Sequence, residues 1–140
     1  MTEWIIWVGK GVCFLLLLAG ASWNDIKTRQ VPDRYSVAVF MLALFFPDTK
    51  RLWGILCTCP LLIAALMTGD IGGADIKIMG AAGMVLGIER GTAALIIGLL
   101  CLLIFHAGRV PFLRSSRQSY PLVPFLAIGM SIEYLTLIPL

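Results

Sequence analysis

The stretch GGADIKIMGAAGMVLG, residues 72–87, decides the fold, because it joins a short polar opening to an apolar helix of small residues. The opening carries two glycines and the carboxylate of Asp75. Further on, Gly83 and Gly87 form a GxxxG spacing, which lets helices approach each other closely. We therefore predict a central helix that starts near Asp75 and packs on several neighbouring helices rather than on lipid.

The chain around this stretch is too apolar for a soluble domain of 140 residues. Hydrophobic residues make up 59% of it and charged residues 14%, and the mean hydropathy is +0.93. A single core of this size cannot bury so much apolar surface, which predicts an integral membrane protein surrounded by a lipid bilayer. No linker or low-complexity tract divides the chain, so we expect one membrane-embedded domain over residues 1–140. The N-terminus lacks the features of a removed signal peptide, and its apolar run is expected to stay.

Six apolar runs are long enough, or nearly so, to cross a bilayer, which takes about 20 helical residues. They occupy residues 4–23, 35–46, 52–67, 76–88, 92–106 and 122–140. Pro32 and Asp33 precede the second run, where proline tolerates the first helical turn and aspartate accepts hydrogen bonds from unpaired N–H groups. The predicted fold class is an all-α integral membrane protein with six transmembrane helices.

The basic residues predict which side of the membrane each loop faces. The loops after the first, third and fifth runs carry seven of them: Lys27, Arg29, Arg34, Lys77, Arg109, Arg114 and Arg117. The opposite loops carry three: Lys50, Arg51 and Arg90. Since positively charged loops stay in the cytosol, both termini are predicted on the non-cytosolic side. Asp25, Asp33, Asp70 and Asp75 then lie near the cytosolic face.

Two of these aspartates stand where an apolar run ends or begins. Asp25 follows the first run and Asp75 opens the fourth. Ionisable groups at membrane depth are functional candidates, although a carboxylate at a helix start also serves as a simple cap. Gly72 and Gly73 permit backbone conformations closed to other residues and leave space for another chain. A substrate strand could therefore dock beside Asp75.

A pair of neighbouring carboxylates has a definite chemistry. Two such groups within a few ångströms do not both ionise easily, so one keeps a proton. The ionised member can take a proton from an attacking water, and the protonated member can hydrogen-bond the scissile carbonyl. This is the arrangement of an aspartic protease, and it requires no metal or other cofactor.

Three stretches resemble the motifs of the type IV prepilin peptidases, membrane aspartic proteases that include the archaeal preflagellin peptidases. They are DIKTRQVPD at residues 25–33, GGADIK at residues 72–77 and the Pro-rich YPLVPFLAIG at residues 120–129. The resemblance covers nearly the whole chain in the right order. It implies that Asp25 and Asp75 are the catalytic pair.

The resemblance also implies motif positions around that pair. Pro32, Gly72, Gly73 and Lys77 match the motifs as substrate-binding or motif residues without a defined chemical role. Ala74 departs from the family's usual Gly-x-Gly-Asp, in which a glycine precedes the aspartate. Because alanine adds only a methyl group, we interpret this as variation within the family.

The function implied is removal of the short leader peptide from prepilin-like precursors, which are pilins, pseudopilins or archaellins. The enzyme would be a multi-pass protein of the cell's inner (cytoplasmic) membrane with its active site facing the cytosol. Asp33 and Asp70 do not carry over as catalytic. Many bacterial members have a cytosolic loop associated with methylating the new amino terminus, and only about ten residues separate the first two runs here. The chain is similar to the minimal, peptidase-only branch.

Other classes of function are weighed against this one. A small transporter subunit would use Asp25 and Asp75 for a cation, but the chain shows no inverted repeat and its acidic residues lie at one face. A non-catalytic assembly protein of a secretion system would not need both aspartates. A presenilin-type protease has a Tyr-Asp pair where this chain has Asn24 and Asp25.

Two kinds of partner are not indicated. Nucleic-acid binding is not predicted, because the basic residues are spread among loops and the net charge is a modest +3. No metal site is predicted either. Cys13, Cys57, Cys59 and Cys101 lie in apolar runs without the spacing of metal ligands.

Overall fold

The computed structural model describes residues 1–45, 48–69, 71–109 and 121–136. The helices are α1 (Thr2–Thr28), α2 (Asp33–Phe45), α3 (Thr49–Leu52), a 3₁₀ segment (Trp53–Thr58), α4 (Cys59–Thr68), α5 (Gly73–Leu86), α6 (Ile88–Arg109) and α7 (Val123–Leu135). Helix α3, the 3₁₀ segment and α4 form one continuous stretch, Thr49–Thr68. The described residues therefore make six helical segments and no strand, which confirms the predicted all-α class.

Three of these segments are long and apolar enough to cross a membrane: Thr2–Thr28, Thr49–Thr68 and Ile88–Arg109. Helices α2, α5 and α7 have 13, 14 and 13 residues. At about 1.5 Å per residue they are roughly 20 Å long, against a hydrocarbon core of about 30 Å. By length, the structure supports three of the six predicted spans.

Two helix boundaries differ from the prediction. Helix α1 continues to Thr28, so Asp25 lies inside its last turns rather than after its end. Helix α5 ends at Leu86 because Gly87 has a φ of 94°, a conformation that L side chains rarely adopt. Helix α6 begins at the next residue, Ile88. Gly87 therefore ends the helix, yet it still takes part in the close approach that the GxxxG spacing predicted, because a Cβ atom at Gly54 would lie 3.0 Å from the Gly87 carbonyl carbon and would collide with Gly83.

Helix α5 is the centre of the bundle, as predicted. Every residue from Ile78 to Leu86 is buried, and the helix packs against α2, α6 and the 3₁₀ segment. Gly83 lies directly against the 3₁₀ segment. A Cβ atom at this position would collide with the carbonyl oxygen of Gly54 and with the Sγ of Cys57. The absence of a side chain thus sets the distance between the two segments.

Helix α7 packs between α1 and α6 and joins the two ends of the chain. The Tyr134 ring stacks on Trp7 with ring centroids 5.3 Å apart, and its hydroxyl donates a hydrogen bond to the Trp7 carbonyl oxygen at 2.9 Å. This contact lies at the far end of α7. The near end of α7 meets the C-terminal end of α1, beside the first turns of α2 and α5.

Candidate active site

Asp25 is buried in the last turns of α1, with 7% of its surface exposed. Its Oδ2 accepts a hydrogen bond from the backbone N–H of Val123 at 3.1 Å. Val123 is the first residue of α7, and the first N–H groups of a helix have no partner within it. The carboxylate of Asp25 therefore occupies the positive end of α7 and ties that helix to α1.

Asp75 is the third residue of α5, where Gly72 is the N-cap. Its N–H donates to the Gly72 carbonyl oxygen at 3.1 Å. It precedes the apolar run at residues 76–88. Burial and, to a smaller extent, the negative charge of Asp25 raise the pKa of Asp75 to about 6, although a backbone hydrogen bond from Gly72 opposes the shift. Asp75 thus keeps its proton to a much higher pH than an ordinary aspartate.

Asp25 and Asp75 line one cleft of about 390 Å³ at the end of the bundle. Its other lining residues are Arg29, Gln30, Val31, Asp33, Gly72, Gly73 and Ala74. Arg29 reverses the chain after α1 with a φ of 54°, and its N–H bonds to the Asp25 carbonyl oxygen at 2.9 Å. The fold therefore brings together two carboxylates that stand fifty positions apart in the sequence.

Comparison with known proteins places the chain in a family. Residues 12–107, more than half of the chain, match the type IV leader peptidase family. The chain belongs to the type IV leader peptidase family. A curated relative, the prepilin leader peptidase/N-methyltransferase of Bacillus subtilis (strain 168), is 30% identical over 136 residues. The match covers 89% of this chain and 54% of the relative, so the chain spans about half the relative's length. No solved structure gives a significant match.

The family match confirms the resemblance that the three motifs predicted and makes this chain a member of a membrane peptidase family. The matched residues include both cleft aspartates. Helix α7 lies beyond them, yet it provides the Val123 N–H that Asp25 accepts. Sequence reasoning did not find Val123, because a backbone donor has no residue signature. The only available signal was the Pro-rich start of a helix, whose N–H groups need acceptors.

Gly72 and Gly73 line the cleft, but not for the conformational reason predicted. Gly72 has a φ of −67°, which any residue can adopt, and Gly73 is helical. A Cβ atom at Gly73 would meet nothing within 4 Å, and one at Gly72 would lie 3.4 Å from Oδ2 of Asp75. Gly72 and Gly73 therefore leave their own part of the cleft wall without side chains.

Pro32 and Lys77 lie beside the cleft and are not among the described residues that line it. The Pro32 carbonyl oxygen accepts from the N–H of Tyr35 at 3.1 Å, in the first turn of α2. The Lys77 ammonium lies 3.1 Å from the Asp33 carboxylate, and both side chains are more than half exposed. The pair links α5 to α2 and, because it is exposed, contributes at most about 1 kcal/mol to stability. Asp70 lies outside the described residues.

The carboxyl groups in the cleft can accept and donate protons. In the described ranges, no three His, Cys, Asp or Glu side chains come together in a way that could hold a metal ion. All four cysteines are free thiols. Among the described residues that line the cleft, the acidic side chains are Asp25, Asp33 and Asp75.

Proposed function

We propose that this protein is an aspartic endopeptidase that removes the short leader peptide from prepilin-like precursors at the cytosolic face of the membrane. The observation that carries the proposal is the shared cleft of Asp25 and Asp75, in a chain of the type IV leader peptidase family. The precursor is a pilin, a pseudopilin or an archaellin. Its leader passes through the cleft beside Gly72 and Gly73, and its apolar helix lies in the bilayer.

In the proposed mechanism the two carboxyls have different tasks. Asp25, whose carboxylate accepts the Val123 N–H, takes a proton from water as the water oxygen attacks the scissile carbonyl carbon. Asp75, with its raised pKa, gives its proton to the carbonyl oxygen. When the tetrahedral intermediate collapses, Asp75 regains that proton and the leaving amine takes the proton held by Asp25. The C–N bond breaks and both carboxyls return to their starting states.

Co-expression with a precursor tests this function. We expect the mass of the precursor to fall by the mass of its leader when the protein is present and to stay unchanged when it is absent. The panel would include one pilin, one pseudopilin and one archaellin precursor. If the protein accumulates in the membrane and all three precursors remain intact, leader peptidase activity is excluded for these substrates.

The cytosolic orientation of the cleft is part of the proposal and rests on the seven basic residues against three in the loops. Thr28 and Thr49 are exposed at opposite ends of the bundle and offer a matched test. In a background without natural cysteines, an impermeant thiol reagent added to intact cells is expected to label Thr49→Cys and not Thr28→Cys. The reverse labelling would place the cleft outside the cell.

We further propose that the protein cleaves its substrate without methylating it. The name of the Bacillus subtilis relative includes N-methyltransferase, but only residues 29–32 connect α1 to α2 here, where methylating members carry a cytosolic loop. With purified protein, a precursor and S-adenosylmethionine, we expect a shortened product without added mass. A gain of one methyl group on the new amino terminus would show that this prediction is wrong.

A further inference from the structure

A second cavity lies next to the catalytic cleft. It is an apolar groove of about 370 Å³ between α2, the 3₁₀ segment and α5. One wall is formed by Val37 and Phe40 of α2. The floor is formed by Gly80 and Ala81 of α5. Because glycine has no side chain and alanine only a methyl group, another helix can approach closely there. The groove thus offers an apolar surface on which an apolar helix can pack.

The groove begins where the cleft ends. Asp33 lines the cleft, Lys77 lines the groove, and their ion pair stands at the junction. From Lys77 the groove runs along α5 to Met84, which is about 10 Å at 1.5 Å per residue. A chain that leaves the cleft in this direction would enter the groove at once and could place about two helical turns in it.

One polar side chain in the groove has no partner in the described residues. Ser36 is 6% exposed and lines the groove, and its Oγ makes no hydrogen bond there. It lies one turn into α2, close to the junction at Asp33. Burying a hydroxyl without a partner is unfavourable. A helix that starts inside a bilayer has the complementary problem, because its first N–H groups have no acceptor and no water reaches them.

We propose that this groove binds the first two turns of the substrate's apolar helix, and that the Ser36 side chain, whose Oγ is buried in the free protein, turns into the groove to accept a hydrogen bond from an N–H of the first turn of that helix. The inference rests on the proposed leader peptidase function and adds a docking site to it. The scissile bond then lies in the cleft, directly before the helix. Ser36 is a positioning residue, since it acts on the register of the substrate and not on the reacting atoms.

Filling the groove tests the proposal. Val37 and Val12 are 52% and 51% exposed, so tryptophan at either position changes lipid-facing surface equally. We expect Val37→Trp to raise KM for a full-length precursor at least about tenfold and Val12→Trp to change it by less than about twofold. Both variants are expected to cleave alike a soluble peptide that keeps the leader and the scissile bond but has polar residues in place of the apolar helix. Equal cleavage of the full-length precursor by both variants would show that the groove does not bind the substrate's apolar helix. If the unmodified protein cleaves neither substrate, it is the proposed function that fails.

Crosslinking tests the same groove without relying on catalysis. A photoreactive phenylalanine analogue would replace Phe40 in an Asp75→Asn background, with Ile104, 71% exposed on α6, as the control position. We expect crosslinks to the apolar segment of the precursor from position 40 only. Crosslinks to lipid or to a second copy of this chain, or equal precursor crosslinks from position 104, would contradict the assignment.

Ser36→Ala separates a substrate contact from a structural role. Removing an unpartnered buried hydroxyl is expected to leave thermal stability unchanged or higher. Losing the contact to the substrate is expected to raise KM roughly fivefold with little change in kcat. A variant that unfolds more easily but keeps its KM would show that Ser36 serves the fold alone.

Discussion

Asp25→Asn and Asp75→Asn are each expected to lower the rate of leader removal by about 10³-fold or more while the protein stays folded. Asparagine keeps the size of the side chain, and its Oδ1 can still accept the N–H of Val123. It cannot take or give the proton that the reaction moves. Rates would be measured with purified variants and one full-length precursor, with helical content recorded by circular dichroism for each variant.

The double variant gives a sharper test of the pair. Because the two carboxyls act as one unit, Asp25→Asn/Asp75→Asn is expected to be no slower than either single variant. Asp33→Asn removes only an exposed ion pair at the rim and is expected to keep substantial activity, as is Asp70→Asn. If the two single effects multiply in the double variant, the carboxyls act independently and the shared-proton mechanism is wrong.

The second large effect is expected on the stability of the folded protein. Gly83→Val places a branched side chain where even a Cβ atom would collide with the Gly54 carbonyl oxygen and the Cys57 Sγ. Backbone atoms cannot move aside cheaply, so α5 would have to separate from the 3₁₀ segment. We expect a loss of about 3 kcal/mol or more in the free energy of unfolding, or no accumulation of folded protein. Thermal unfolding in detergent, followed by circular dichroism, measures it.

Gly9→Ala is the matched control for Gly83→Val. Gly9 lies on α1, and a Cβ atom there would meet nothing within 4 Å. The control is expected to unfold at the same temperature as the unmodified protein or slightly higher, since alanine favours helix more than glycine does. If Gly83→Val is as stable as this control, the close packing of α5 on the 3₁₀ segment does not exist.

The helical segments of this fold could be read from the sequence, and their ends could not. Apolar runs predict helices because a bilayer leaves backbone groups no other partners. Helix α1 passes through Asn24 and Asp25 because the chain reverses only at Arg29, whose φ of 54° has no sequence signature. The 3₁₀ segment follows no local signal either. It lies where Gly54 meets α5, so a contact distant in sequence decides it.

The candidate site was predictable to the same extent. Asp25 and Asp75 stand out because carboxylates are rare and costly in so apolar a chain. The partner of Asp25 is a backbone N–H ninety-eight positions away, and the partner of Lys77 is a carboxylate forty-four positions away. Both contacts depend on how helices cross, which hydropathy does not encode. Gly72 and Gly73 line the cleft, but neither has the unusual backbone conformation that was expected, because φ cannot be read from residue type alone.

The most direct measurement compares the unmodified protein with Asp75→Asn in proteoliposomes that contain one full-length precursor, with intact mass and the new amino terminus determined for each product. The unmodified protein is predicted to release the leader and leave a product that begins at the apolar helix. The Asp75→Asn variant, with the same helical content, is predicted to release none. Equal processing by both would contradict a mechanism that depends on the Asp25–Asp75 pair.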